Sequence, residues 1–124
     1  MDKTTQMLEK EIDALERKKE LQKEIIAEEK AEVDEVTGGK AQYDSNGNIT
    51  NYHDLIDSEK DRIRQEEADL RAKNNGDLTE ADAAYIEDEI AKLQRMEEEI
   101  DEYEQALEDQ EDIENAIDDA FYEW

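Results

Sequence analysis

The chain contains no cysteine and no proline, a single histidine and only two serines. Without cysteine, disulfides and thiolate metal sites are excluded, and the redox compartment leaves no mark on the sequence. No apolar run approaches the roughly 18 residues that a membrane span needs, and no signal peptide is visible. Nucleophilic catalysis has almost no raw material, since Ser45, Ser58 and His53 are all that such chemistry has to draw on. The expectation is a protein that is not an enzyme and carries no cofactor. Bases are scarce too, with 15 against 40 acids and a net charge of -25. Such a chain repels nucleic-acid phosphate and anionic lipid alike, leaving proteins, basic ones especially, as partners.

What is present is charge laid over helical periodicity. Of 124 residues, 44% are charged and 31 are large apolar side chains, most of them at helical spacing. Half of those, buried at roughly 1.5–3 kcal/mol each, would offset the ordering entropy of a narrow helical seam. They would not fill a wide globular core. The expected fold is all-α: an elongated antiparallel helical hairpin or three-helix coiled coil, one domain over residues 1–124.

The first helix is read over 2–36, from Leu8, Ile12, Leu15, Ile25, Ile26, Val33 and Val36 at three- and four-residue steps. Its seam is imperfect, because Lys19, Gln22 and Glu29 fall where a strict heptad wants apolar residues. Thr37-Gly38-Gly39 supplies the stop. A small β-hairpin is expected over 41–51. There Asn46-Gly47 suits a type I′ turn, and Tyr43, Ile49, Thr50 and Tyr52 favour extended pairing. Asn51 is placed to cap a second helix over 52–73, in which Ile56, Ile63 and Leu70 stand seven apart. Thr79 caps a third over 80–122, where Ile86, Leu93, Ile100 and Leu107 give the strongest coiled-coil signal. After Leu107 the phase slips, and Ile113, Ile117, Phe121 and Trp124 resume it on a shifted stripe.

At 1.5 Å per residue, helix two would return along helix one, and helix three would overshoot the hairpin end by roughly 30 Å. That overshoot would leave Ile113, Ile117, Phe121 and Trp124 without cover. They are the candidate interaction residues, for self-association or for another helical chain.

Other constellations have plainer explanations. Asp44, Asn46 and Asn48 match the first alternate ligands of a calcium loop, but Ile49 stands where glycine belongs and Leu55 where the bidentate glutamate belongs. Turn chemistry accounts for the same residues. A Glu-x-x-His di-metal motif would need a carboxylate at Thr50, so His53 reads as solvent-facing, with Asp57 one turn on. Arg17-Lys18-Lys19 is interrupted by Glu16 and Glu20 and reads as a face for acids on a neighbouring helix. Carboxylate clusters such as Glu97-Glu98-Glu99 work as acid–base pairs only when burial drives their pKa values apart.

Two stretches carry a resemblance. Leu21-Gln22-Lys23-Glu24-Ile25-Ile26-Ala27-Glu28-Glu29-Lys30 is followed by Ala41-Gln42-Tyr43-Asp44-Ser45-Asn46-Gly47-Asn48-Ile49-Thr50-Asn51-Tyr52. Together they resemble helical segments of bacteriophage tail tape-measure proteins and related large virion proteins. There a charged helix ends in such a hairpin and a second long helix follows. The resemblance implies an elongated, non-catalytic structural segment that packs against further helical protein, in a phage virion or host cytoplasm. Those proteins run to many hundreds of residues, so their length-setting role does not carry over. The chain reads as an excised fragment, a repeat unit or a stray reading frame.

Two other readings compete. The first is an acidic DNA mimic of anti-restriction type that blocks a basic nucleic-acid-binding protein through the base-free stretch after Arg95. The second is a de novo or host coiled-coil adaptor, against which the irregular seam at Lys19 and Gln22 argues.

Overall fold

A computed structural model describes residues 3–123. It contains three helices: α1 (Lys3–Val36), α2 (Tyr52–Lys73) and α3 (Glu80–Glu123). The all-α expectation holds. Two compact units divide the chain, one of Met1–Ala31 with Glu102–Trp124, the other of Glu32–Asp101.

In the first unit, α1 buries Ile12, Gln22 and Ile26, with Leu8, Leu15 and Lys19 half-buried at the intervening three- and four-residue steps. Its partner is the second half of α3, which buries Tyr103, Ala106, Ile117 and Ala120. The Gln22 side-chain amide donates to the Ala106 carbonyl at 2.7 Å. Buried Ile12, ten residues before Gln22, sets the direction. Only an antiparallel course carries α3 beyond Ala106 past it.

Two expectations are corrected here. Residues 102–123 do not overshoot without cover, because their partner is α1 and not open solvent. Nor does α1 chiefly pair with α2, since only residues 32–36 of α1 belong to the second unit. The phase slip also moves. It falls at the three-residue steps Ile100–Tyr103–Ala106, where alanine leaves room for Gln22 to reach the backbone, and the stripe then passes through Ile113, Ile117 and Ala120.

In the second unit, Val33, Ile49, Leu55, Ile63, Ile86, Met96 and Ile100 are buried. α1 ends in paired reverse bonds, Gly38 N–H to Glu35 O at 3.2 Å and Gly39 N–H to Asp34 O at 2.9 Å. Gly38 and Gly39 both take positive φ there, the glycine stop expected at this place. α2 and α3 run antiparallel: Lys60 pairs with Glu97, Arg62 with Glu89, and Tyr85 with Glu66. Thr79 caps α3, its hydroxyl accepting from Asp82 N–H at 3.1 Å.

The insert between α1 and α2 is not a β-hairpin. No strand forms among the described residues, only one antiparallel bridge between Tyr43 and Ile49. The turn is not type I′ either, since Gly47 takes positive φ (78°) and Asn46 does not. Gly47 N–H donates to Asp44 O at 3.0 Å, and Asp44 N–H to Asn48 O at 2.9 Å. This is a tight turn closed by a left-handed glycine, and the Asp44 carboxylate selects it by accepting from both Asn46 and Asn48 N–H at 2.9 Å. Asn51 does not cap α2 with its side chain. Its amide turns back to bind Gln42 N–H and Lys40 O, closing the loop at its base.

Candidate functional site

The four apolar residues near the end of α3 do not form one free stripe. Ile117 is buried, Ile113 is half-buried, and Phe121 is 54% exposed. Ala120 takes the seam position that spacing assigned to Phe121. Trp124 lies outside the described residues. The turn residues Asn46 and Gly47 shape the insert. Outside the seam of this unit, Met7, Leu21 and Ile25 on α1 are also substantially exposed, with Tyr122 on α3. Leu21 stands in an open hollow of about 630 Å³ bounded by Asp13, Glu16, Arg17 and Glu20. A two-helix seam covers one stripe per helix, so side chains away from it stay in water.

The second unit holds a polar cluster around Arg62. The Arg62 guanidinium donates to Glu59 Oε2 through Nε (3.0 Å) and Nη2 (2.7 Å), to Glu66 Oε1 at 2.9 Å and to Glu89 Oε2 at 2.7 Å. Lys92 lies 3.4 Å from Glu89 Oε1, and Lys40 lies 3.7 Å from Glu59. Beside the cluster lies a cavity of about 320 Å³ whose apolar wall includes Val36, Leu93 and Met96. The spacing of the sequence carries a signal for this cluster. Glu59 and Glu66 bracket Arg62 at i−3 and i+4, and Glu89 interrupts the seam between Ile86 and Leu93.

The electrostatics of the cluster define its chemistry. Hydrogen bonds to Glu59 and then Glu89 push Arg62 above its already high value. Arg62 first, and Lys92 second, hold the Glu89 carboxyl below the usual carboxylate range. Asp88 and Glu89 raise Lys92. Each shift moves a group away from neutrality, which locks its charge; a catalytic acid or base needs the opposite. The cluster therefore works as a staple between α2 and α3.

Of the calcium-like residues, Asp44 accepts two backbone amides, those of Asn46 and Asn48, at Oδ1. His53 is exposed, and its ring lies 4.6 Å from that of Tyr52 at a tilt of 58°. No described helix is long and apolar enough to cross a membrane. No family model, curated protein or solved structure matches the chain.

Proposed function

We propose that the chain is a non-catalytic structural helical segment whose work is to pack against other helices, as the likeness to phage tape-measure and virion proteins suggests. One observation carries this reading: large apolar side chains stand outside the seam on both helices of the first unit. Leu21 is 59% exposed and Phe121 54%. Apolar area of this kind, standing beside the seam and not in it, is what a further helix can cover. The mechanism is mechanical, since helices keep a fixed rise per residue and laterally packed seams stiffen them. The occupant proposed for this surface is a helix of a second copy, in a phage virion or host cytoplasm.

The test is sedimentation equilibrium of the intact chain and of a Leu21→Gln/Phe121→Gln variant. Association that is concentration-dependent in the first and weakened in the second supports the reading. A chain that stays monomeric at all concentrations refutes self-packing. A second reading, an acidic mimic of nucleic acid, draws on the ten acids and no base of residues 102–124. Salt separates the two: it strengthens apolar self-packing by screening repulsion, and it collapses affinity for a basic partner.

A further inference from the structure

Resting on the self-packing reading, we infer that copies join head to tail through their first units: the outer flank of α1 in one copy receives the C-terminal half of α3 from the next. In α1 the seam runs along two rows, Ile12, Lys19 and Ile26 at heptad position a, and Leu8, Leu15 and Gln22 at d. In α3 the rows are Tyr103, Gln110 and Ile117 at a, with Ala106, Ile113 and Ala120 at d. The apolar side chains left outside fall on different sides of these seams. On α1 they lie at g and c, as exposed Ile25, Met7 and Leu21. On α3 they lie at e, as half-buried Leu107 and exposed Phe121.

Seen from one end, reversing a helix reverses the sense in which its side chains wind. An antiparallel pair therefore sets g beside g and e beside e. The g side of α1 and the e side of α3 then lie on opposite faces of the unit, and one copy cannot merge its two apolar flanks into a single patch. Charge decides how the flanks pair. Between Met7 and Ile25, rows g, c and f of α1 hold Lys10, Arg17 and Lys18 against Glu11 and Glu24. The three cations are exposed and make no ion pair among the described residues. On no other flank of the unit's described helices do bases outnumber acids. The α3 flank, rows e, b and f from Glu104 to Tyr122, holds Glu104, Glu108, Glu111, Glu114 and Asp118 and no base. Pairing α3 with α3 would set carboxylates against carboxylates, whereas α1 with α3 sets cations against them. Complementarity of this kind selects the partner while apolar contact supplies the affinity. The unit still carries nineteen acids against seven bases, so salt favours the contact by screening the net repulsion. Each union leaves one α1 flank and one α3 flank free, so assembly does not stop at two copies.

The experiment is sedimentation velocity of the intact chain and two variants, alone and mixed, in sodium chloride at about 0.15 M. Met7→Gln with Leu21→Gln blocks the α1 flank, and Phe121→Gln with Tyr122→Gln blocks the α3 flank; all four positions are exposed, so the seam is untouched. The parent should form species larger than a dimer. Each variant alone should associate at least about tenfold more weakly. Their equimolar mixture should form a dimer that does not grow, because one variant keeps α1 and the other α3. Arg17→Glu with Lys18→Glu, added to the variant that keeps the α1 flank, should abolish that mixed dimer. A parent that stops at two copies, a variant that associates alone as well as the parent, or a mixture that stays monomeric would overturn the pairing while leaving self-packing intact. A mixed dimer undiminished by the charge reversal would overturn it too. A parent monomeric at every concentration would refute self-packing itself and this pairing with it.

Discussion

Replacing Arg62 by alanine removes the side chain that ties α2 to α3. The bonds to Glu59 and Glu66 lie within one helix, where such pairs contribute about 0.3–0.5 kcal/mol each. The bond to Glu89 differs, because that carboxylate is only 11% exposed and loses its principal counter-charge. A charge-assisted hydrogen bond of this kind contributes about 1.5–3 kcal/mol. The Arg62 side chain is 38% exposed, so solvent screening reduces that figure to about 1–1.5 kcal/mol for the cross-helix term. Arg62→Ala should then cost about 2 kcal/mol in all, and a double-mutant cycle with Glu89→Gln should isolate a coupling near 1 kcal/mol. Urea titration followed by residue-resolved exchange in the second unit is the assay, since urea leaves ion pairs unscreened. A coupling below about 0.3 kcal/mol would show that Arg62 serves only its own helix, and the staple reading would fail.

Three further outcomes follow from single interactions. Gln22→Leu should leave stability within about 1 kcal/mol, because an apolar side chain suits the seam, yet loosen the α1–α3 register that the bond to Ala106 specifies. Cross-linking of cysteine pairs introduced at alternative registers reads this, and a variant that still forms a single product counts against the register role. Gly47→Ala should cost about 1–2 kcal/mol, because alanine resists the φ of 78°, and an unchanged urea midpoint would contradict the turn geometry. Glu89 is held below its usual value by Arg62, so its stabilisation is complete above the ordinary carboxylate range and is lost as pH falls through the lowered value. Exchange protection around Ile63 and Ile86 should hold from neutrality to about pH 5 and decline below about pH 4; decline already near pH 6 would assign the wrong group.

Periodicity made the helices legible. Leu8, Ile12 and Leu15, and then Ile86, Leu93 and Ile100, mark their seams directly, and Gly38 and Thr79 mark an end and a start. Pairing was not legible, because a three- and four-residue rhythm says that a helix has a seam and nothing about which helix fills it. Contacts such as Gln22 to Ala106 are what distinguish α3 from α2 as the partner of α1. The insert misled for a local reason. Asn46-Gly47 advertises a type I′ turn, but Asp44 two residues earlier captures the Asn46 and Asn48 amides and holds Asn46 out of the left-handed region. Asn51 likewise has the chemistry of a cap but spends it on Gln42 and Lys40. Of the candidate interaction residues, Phe121 stays exposed while Ile117 joins the seam, because the slip at Ala106 turns Ala120 inward in place of Phe121.

The account rests on helices that pack sideways through residues outside their own seams, and sedimentation equilibrium of the intact chain over rising concentration and salt tests it most directly. Reversible association that strengthens with salt and weakens in the Leu21→Gln/Phe121→Gln variant is the predicted result. A strictly monomeric chain, or association that dissolves as salt rises, would contradict it.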